Sequence, residues 1–355
     1  MKNAPRHCLA LFGLLVLLQG CKKDETAAPS SVTYEKLGDV TVNGLTGFAA
    51  NGDPIGTDGS SQAIRWNSAS KQWERLPATP TVNGTPLGVV GEDAAGNFYA
   101  AVSPGGNYIL PAGTTTWQPV PLPDTDPPLY LNSDLPFINA AGTVVMQSRR
   151  QTSAGVRVRL YRKSAGASTW TRVLDRPADN VGIVQLADNG DVFMQNTGQG
   201  ASELLVLKAN ATALVPVANC GGTVVLPYCS FQLGVSPAGD VVYFQGGTGS
   251  RQLYRIPAGA SYPTTAAQLC VLPDGTATFF DFAALSNGTS LGVANDGGYG
   301  TYYLYIRTAQ ATEWLKAPNL PGAGYVYVRT NRQGQSFTAS RQSAAAKGSV
   351  YRINY

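Results

Sequence analysis

Residues 87–102 read LGVVGEDAAGNFYAAV: an apolar run, a turn with glycine, then a second apolar run. Similar stretches occur at 182–196 (GIVQLADNGDVFMQN) and at 231–245 (FQLGVSPAGDVVYFQ). The apolar runs are short and rich in Val, Phe and Tyr, which favours strands over helices. Glycine supplies the positive φ that a tight hairpin turn requires. Each stretch is therefore predicted to be a β-hairpin.

This hairpin pattern recurs along most of the chain. Successive turn glycines are 44, 46, 48, 49, 49 and 46 residues apart. So regular a period is typical of a repeat architecture. The seven turn glycines are Gly52, Gly96, Gly142, Gly190, Gly239, Gly288 and Gly334.

A second hairpin follows each first one. Its leading strand often carries an aromatic residue or leucine before a basic residue, and its closing strand often begins with an aromatic residue. Four strands per unit at this period is the pattern of a β-propeller blade. The leading strands are RLYRKS (159–164), QLYRIP (252–257), YLYIRT (303–308) and SVYRIN (349–354), and the closing strands begin at Trp73, Trp117, Trp170 and Trp314.

The last unit ends after its third strand, and its missing fourth strand is found near the start of the chain. YEKL at 34–37 resembles WERL at 73–76. We predict an all-β, seven-bladed β-propeller of four-stranded antiparallel blades over residues 32–355, closed by this N-terminal strand. Closure removes unpaired sheet edges. An open β-solenoid or two stacked sandwiches are the alternatives.

The N-terminus predicts export and a lipid anchor. After Lys2 and Arg6 comes an apolar stretch too short to span a bilayer, and it ends in LLQGC. This motif resembles the bacterial lipobox, which implies a signal peptide at 1–20, acylation of Cys21 and a flexible tether at 21–31. An ordinary secretory signal is the alternative. KKDE at 22–25 resembles a signal for the outer face of the outer membrane in one group of Gram-negative bacteria; a solvated charged tether is the other reading.

The cysteines, the single histidine and the charge balance restrict the functions that this chain could have. In an oxidising compartment we expect a Cys220–Cys229 disulfide, with pairings to Cys270 left open. The only histidine is His7, inside the signal. The mature chain therefore lacks imidazole for triads, acid–base catalysis or zinc, and we expect no metal and no cofactor. Its 24 basic and 22 acidic residues argue against a nucleic-acid partner.

Several motifs resemble those of known propellers. PAGTTTW (111–117) and SAGASTW (164–170) resemble degenerate Asp-box hairpins, which are structural, and the repeats are kelch-like in architecture. YRIP at 254–257 resembles a sialidase motif whose arginine binds a carboxylate, but Arg255 aligns with other third strands, which favours a structural role.

Two pairs of aspartates could indicate the active site of a glycosidase or a calcium-binding site. They are Asp188 with Asp191, and Asp124 with Asp126. Glycosidic cleavage needs two carboxyls facing each other at a defined separation, and no partner across a cleft is evident for either pair. Turn chemistry is the preferred interpretation of both.

Function is expected in the loops of one face, near the central channel. The longer connections are 121–133, 174–181, 218–229 and 317–324, and the longer loops within units are 148–156, 245–251 and 295–300. Candidate ligand-binding residues in or beside them are Tyr130, Arg149, Arg150, Tyr228, Arg251, Asp296 and Tyr299.

Three functions are compatible with this sequence. The first is a lipid-anchored, outward-facing outer-membrane propeller that binds a glycan or an envelope protein without catalysis. The second is a carbohydrate-active enzyme, a glycosidase or lyase that uses carboxylate or tyrosine chemistry. The third is a propeller with a purely structural role in an envelope complex. Fold alone does not choose among them.

Overall fold

A computed structural model describes most of the chain from residue 31 onwards. The described residues are 31–39, 42–82, 85–86, 88–102, 106–124, 126, 136–177, 181–196, 203–217, 229–245, 252–264, 267–271, 281–295, 302–320, 325–341 and 348–355. Within these ranges all regular structure is β-strand.

The strands follow each other at the predicted period. The first are β1 (Thr33–Lys36), β2 (Val42–Phe48), β3 (Pro54–Asp58), β4 (Ala63–Asn67), β5 (Gln72–Arg75), β6 (Thr81–Val82), β7 (Thr85–Pro86), β8 (Gly88–Glu92), β9 (Phe98–Val102), β10 (Gly106–Leu110) and β11 (Gln118–Pro119). The next are β12 (Phe137–Ile138), β13 (Val144–Thr152), β14 (Gly155–Lys163), β15 (Thr171–Pro177), β16 (Val181–Leu186), β17 (Val192–Asn196), β18 (Glu203–Leu207) and β19 (Leu214–Pro216). The last are β20 (Cys229–Val235), β21 (Val241–Gln245), β22 (Gln252–Ile256), β23 (Ala267–Val271), β24 (Asp281–Ala284), β25 (Ser290–Asn295), β26 (Tyr302–Arg307), β27 (Leu315–Lys316), β28 (Tyr325–Thr330), β29 (Ser336–Arg341) and β30 (Ser349–Asn354).

The strands pair antiparallel in groups of four, in chain order. β12–β15, β16–β19, β20–β23 and β24–β27 each form one four-stranded sheet. β2–β5 and β8–β11 are two such groups, which are joined into one eight-stranded sheet by a single parallel bridge between Phe48 and Gly91. β6 and β7 form a separate two-stranded pair. We call the sheet of β12–β15 the third sheet.

The fourth strand of the last sheet comes from the start of the chain. β1 pairs antiparallel with β30, with Tyr34 opposite Ile353 and Lys36 opposite Tyr351. The Tyr34 hydroxyl also donates a hydrogen bond of 2.9 Å to the Pro318 carbonyl oxygen of the preceding unit. Burial raises the pKa of Tyr34 to about 12. The N-terminal segment is thus fixed by backbone pairing and by its own side chains.

The core lies between neighbouring sheets rather than in one central mass. Leu160 and Leu174 of the third sheet pack against Leu186, Met194 and Leu205 of the next one, and four of these five side chains are 5% exposed or less. Burying one such side chain contributes roughly 1.5–3 kcal/mol. Each sheet is therefore stabilised mainly by its two neighbours, as in repeat proteins generally.

The turn glycines have the predicted conformation. All seven have positive φ, between 76° at Gly334 and 94° at Gly239. Gly142 shows why glycine is needed there, because a Cβ atom would lie 2.9 Å from the Cβ of Ala94 in the preceding unit. Both the backbone conformation and the close approach of two units thus require glycine.

Candidate functional site

The first strands of the four-stranded groups line one shared cavity. Its volume is about 340 Å³, within the range typical of small-molecule pockets. Each first strand contributes an apolar side chain to the wall. These are Phe48, Val90, Ile138, Val184, Val235, Phe282 and Val328, from β2, β8, β12, β16, β20, β24 and β28 respectively.

One end of this cavity is formed by the turns between first and second strands, and we call it the floor. Hydrogen bonds link successive turns there. The Asn139 side chain donates to the Ala187 carbonyl (3.0 Å), and the Asp188 backbone N–H donates to the Pro237 carbonyl (2.7 Å). Asn331 likewise donates to the Gly52 carbonyl (2.9 Å). The floor is therefore a chain of linked turns.

Arg332 crosses the floor. Its two terminal nitrogens donate to the carbonyl oxygens of Asn139 (2.8 Å) and Glu92 (2.6 Å), which belong to two different sheets. Burial lowers the pKa of Arg332, while the nearby carboxylates of Asp188, Asp93 and Glu92 oppose that shift. The guanidinium thus ties three units together at one end of the cavity.

The third sheet departs from the other repeats. Its second and third strands, β13 and β14, each have nine residues, whereas the corresponding strands elsewhere have five or six. Residues 149–176 carry eight of the chain's 26 basic residues and only one acidic residue. The longer hairpin therefore extends past its neighbours and carries a local excess of positive charge.

Arg159 is the centre of an ion-pair network on this sheet. Its side chain is only 8% exposed, and its Nη1 lies 3.0 Å from Asp124 and 2.6 Å from Asp126. Its Nε lies 3.0 Å from Asp175. Burial acts to lower the pKa of Arg159, but the hydrogen bonds and charges of these three carboxylates outweigh it and raise the pKa. Buried charges of this kind need such close partners.

Two further arginines complete this network. The Nε of Arg157 lies 2.6 Å from Asp175, and Nη1 of Arg172 lies 3.1 Å from Asp124. The Tyr161 hydroxyl donates to Asp124, and burial together with that carboxylate raises the pKa of Tyr161. Asp124 and Asp126 belong to the connection from β11 to β12, so the network fixes that connection against the third sheet.

Two predicted candidates, Arg149 and Arg150, lie in this hairpin, but not in a loop. The expectation of a loop at 148–156 is wrong. Arg149 pairs with Val158 and Arg150 with Arg157 inside the β13–β14 ladder. The reason is the two-residue turn at Ser153 and Ala154, which leaves the following glycine at φ 101° and lets both strands continue to the tip.

The other candidate residues lie outside the described residues. They are Tyr130, Tyr228, Arg251, Asp296 and Tyr299, together with the expected lipidation site Cys21 and the disulfide partner Cys220. Cys229 begins β20, and its expected bond to Cys220 remains a prediction.

The remaining polar residues singled out in the sequence bind groups within their own unit or in a neighbouring turn. Arg255 lies on the third strand β22 and its Nε bonds Asp240 at 3.0 Å, consistent with a structural role. Asp191 accepts hydrogen bonds from Lys208 and from the Ala209 backbone, both at 2.9 Å. Asp188 accepts one from the Ala140 backbone at 2.9 Å. These carboxylates hold turns, as turn chemistry predicted.

Sequence reasoning missed Arg159, Asp175 and Arg332. A signal for the first was present, because VRVRL at 156–160 alternates arginine with apolar residues, which places Arg157 and Arg159 on one face of a strand. Arg332 has no such signal, since its partners are backbone carbonyls of distant repeats.

In the described ranges no three His, Cys, Asp or Glu side chains are grouped so as to hold a metal ion. Across the same ranges there is no helix with the length and apolar character needed to cross a membrane.

Comparison with known proteins supports the fold class. No family model and no curated protein matches this chain. Among solved structures, an oligogalacturonate lyase from Vibrio parahaemolyticus superposes with a TM-score of 0.61 at 11% identity, over 91% of this chain and 97% of that one. YCF48 bound to a D1 peptide gives a TM-score of 0.59 at 14% identity, over 92% and 98%.

Another structure, an oligogalacturonate lyase in complex with manganese, has a TM-score of 0.61 at 10% identity and covers 91% of this chain and 96% of that one. The lyase and YCF48 are β-propeller proteins. At these identities the likeness concerns the fold alone. It includes both an enzyme and a protein bound to a peptide, so it does not decide between catalysis and binding.

Proposed function

We propose that residues 32–355 form a closed seven-bladed propeller that binds a ligand without catalysis. Seven first strands share one cavity, and β1 completes the sheet of β28–β30. Both observations support seven blades in a closed ring. The partner is a glycan or an envelope protein, met on the face opposite the floor.

The engagement of Asp124 and Asp126 is the observation that carries this proposal. They are the pair that the sequence offered for glycosidic chemistry. Both carboxylates bind the guanidinium of Arg159, at 3.0 and 2.6 Å. A glycosidase needs one carboxyl to donate a proton and the other to act as a base or nucleophile across the substrate. Carboxylates held on one buried arginine serve structure instead.

The resemblance of LLQGC to a lipobox supports a proposed location on the cell envelope. We propose that Cys21 is acylated, that residues 21–31 form the tether, and that the protein lies on the outer face of the outer membrane. Limited proteolysis of intact cells tests this location. Release of the propeller without lysis supports the outer face, and protection of the protein until the cells are lysed contradicts it.

A glycan array combined with capture from envelope extracts tests the binding function. The wild-type protein is expected to bind saturably to one partner class, and Tyr130→Ala or Tyr228→Ala is expected to weaken that binding. Tyr355→Phe is the control, since Tyr355 follows β30 and its hydroxyl lies 3.2 Å from the Ser336 hydroxyl. Absence of binding in both assays, or turnover of a polysaccharide by the purified protein, would contradict the proposal. Turnover would favour the glycosidase or lyase alternative.

A further inference from the structure

Two arginines lie directly opposite each other near the tip of the β13–β14 hairpin. The ladder pairs Arg150 with Arg157, and opposed residues on antiparallel strands project from the same face of the sheet. Like charges in this position destabilise a strand pair. The charge of Arg157 is compensated by the carboxylate of Asp175, which lies 2.6 Å from its Nε. Arg150 instead donates from Nη1 to the backbone carbonyl of Asp126, at 2.8 Å.

Arg150 therefore has no carboxylate of its own in the described part of the chain. The residue is 7% exposed, and its Nε is buried without a hydrogen-bond partner. The network as a whole has four guanidiniums (Arg150, Arg157, Arg159 and Arg172) for three carboxylates (Asp124, Asp126 and Asp175). A buried charge without an opposite charge is costly, so among the described residues this set has one acidic group fewer than its arginines require.

Arg162 of the same hairpin provides a comparison, because its contacts are those of a structural arginine. Its two terminal nitrogens donate to the backbone carbonyls of Ala209 and Gly190, and it bridges to the next sheet. The charge of Asp191 acts on it from that sheet. Arg150 has only one such carbonyl and faces another guanidinium. The Nε of Arg162 is likewise buried without a hydrogen-bond partner, so the two sites differ in the number of carbonyls that the guanidinium binds and in the charge that lies opposite it.

We infer that Arg150 and Arg157 bind an oxyanionic group of the ligand, a carboxylate or a sulfate, and that the ligand is an acidic glycan. This inference rests on the proposed binding function. The guanidinium fork matches a planar carboxylate, and a carboxylate already bridges two arginines of this network, since Asp175 accepts one hydrogen bond from the Nε of Arg157 and one from the Nε of Arg159. Arg157 is 27% exposed, which gives the ligand access to the pair from solvent.

Isothermal titration calorimetry on the full-length protein in detergent tests the inference with three probes. These are an oligouronate, a sulfated oligosaccharide and a neutral oligosaccharide of similar length. The wild type is expected to bind at least one anionic probe, and the difference between the two identifies carboxylate or sulfate as the preferred group. Arg157→Gln is expected to lower that affinity by roughly tenfold to a hundredfold, the range for a hydrogen bond to a charged group. Arg157→Lys is expected to restore part of it.

Arg75→Gln is the matched control. Arg75 is the last residue of the fourth strand β5, is 71% exposed and lies 3.1 Å from Asp58, so its removal changes the net charge equally without touching the hairpin. Its affinity is expected to equal that of the wild type. Equal losses in Arg157→Gln and Arg75→Gln would overturn the inference, because the effect would then be one of net charge alone.

The remaining outcomes separate the inference from the proposed function. Equal binding of neutral and anionic probes overturns the inference and leaves the binding function in place. Capture of an envelope protein with no binding of any glycan has the same consequence. Failure of both glycan and protein binding overturns the two together.

Discussion

The floor of the cavity and the hairpin of the third sheet both depend on buried arginine, but in different ways. At the floor, Arg332 donates to two backbone carbonyls, of Asn139 and Glu92. In the third sheet, Arg159 meets three carboxylates, all at 3.0 Å or less. The first arrangement uses groups that every repeat possesses. The second requires three acidic side chains, those of Asp124, Asp126 and Asp175.

The floor contacts belong to the architecture that all units share, whereas the network of the third sheet is a special feature of one unit. The floor turns recur in each unit, and their hydrogen bonds link one unit to the next. The third sheet has longer strands and a dense arginine content that the other units lack. In a repeat protein, a property that all units share serves the stacking of units. A property confined to one unit is where a ligand site is best sought.

Among single substitutions, the largest effect is expected from Arg159→Met. Removing this guanidinium leaves the buried carboxylate of Asp124 without its main partner, so we expect a loss of about 3–5 kcal/mol in the free energy of unfolding. Urea unfolding measures it. Arg172→Met is the control, because Arg172 is 44% exposed and its ion pair is expected to contribute at most about 1 kcal/mol. Similar losses in the two variants would show that Arg159 is not the centre of the network.

A second variant tests the close packing of the floor. Gly142→Ala places a residue at φ 81° and brings a Cβ to 2.9 Å from Ala94, so we expect a total cost of about 2–4 kcal/mol from backbone strain and overpacking. Gly113→Ala has a similar φ of 74° but meets nothing within 4 Å. The Gly113→Ala variant therefore measures the cost of the backbone conformation alone. Equal thermal midpoints for the two variants would contradict tight contact between units at the floor.

Arg332→Met is expected to cost about 1–3 kcal/mol, because two buried carbonyls lose their donor. The comparison variant is Arg329→Met, which removes a 47% exposed arginine whose ion pair with Asp281 spans 2.8 Å. That surface pair is expected to contribute less than about 1 kcal/mol. Urea midpoints measured side by side decide the point. A larger loss from Arg329→Met would reverse the roles assigned to the two arginines.

The smallest effect is a pH dependence at Asp175. Burial acts to raise the pKa of this carboxyl, but hydrogen bonds from Arg157 and Arg159 outweigh it and lower the pKa. The resulting stability is fully present above the unfolded-state pKa of about 3.9 and is lost as the pH falls through the lower folded-state pKa. Asp175→Asn is expected to flatten the wild-type curve of urea midpoint against pH below about pH 4. Parallel curves would mean that Asp175 is not linked to folding.

The repeats and their strands could be predicted from the sequence because they depend on local properties of the chain. Alternating apolar runs and turn glycines are set by side-chain periodicity and by backbone φ, and the positive φ at Gly52 and Gly239 confirms that prediction. The pairing of Tyr34 with Ile353 was also readable, since YEKL repeats the pattern of a fourth strand.

The contacts of the third sheet were not readable in the same way. Arg150 falls inside the loop expected at 148–156, because the Ser153–Ala154 turn carries no Asn-Gly or Asp-Gly signature. Asp124 and Asp126 meet Arg159 over more than 30 residues of sequence. Such pairs depend on how a connection folds back over a sheet, and periodicity does not encode that.

The proposed ring closure is the central claim, and removing β1 tests it most directly. Two forms are compared by urea unfolding: residues 32–355, which keep β1, and residues 38–355, which lack it. Val32 and Leu37 are both buried, and each contributes roughly 1.5–3 kcal/mol. The shorter form is expected to be less stable by several kcal/mol, and a synthetic peptide of residues 31–38 is expected to restore part of the loss. Equal stability of the two forms would contradict closure of the ring by the N-terminal strand.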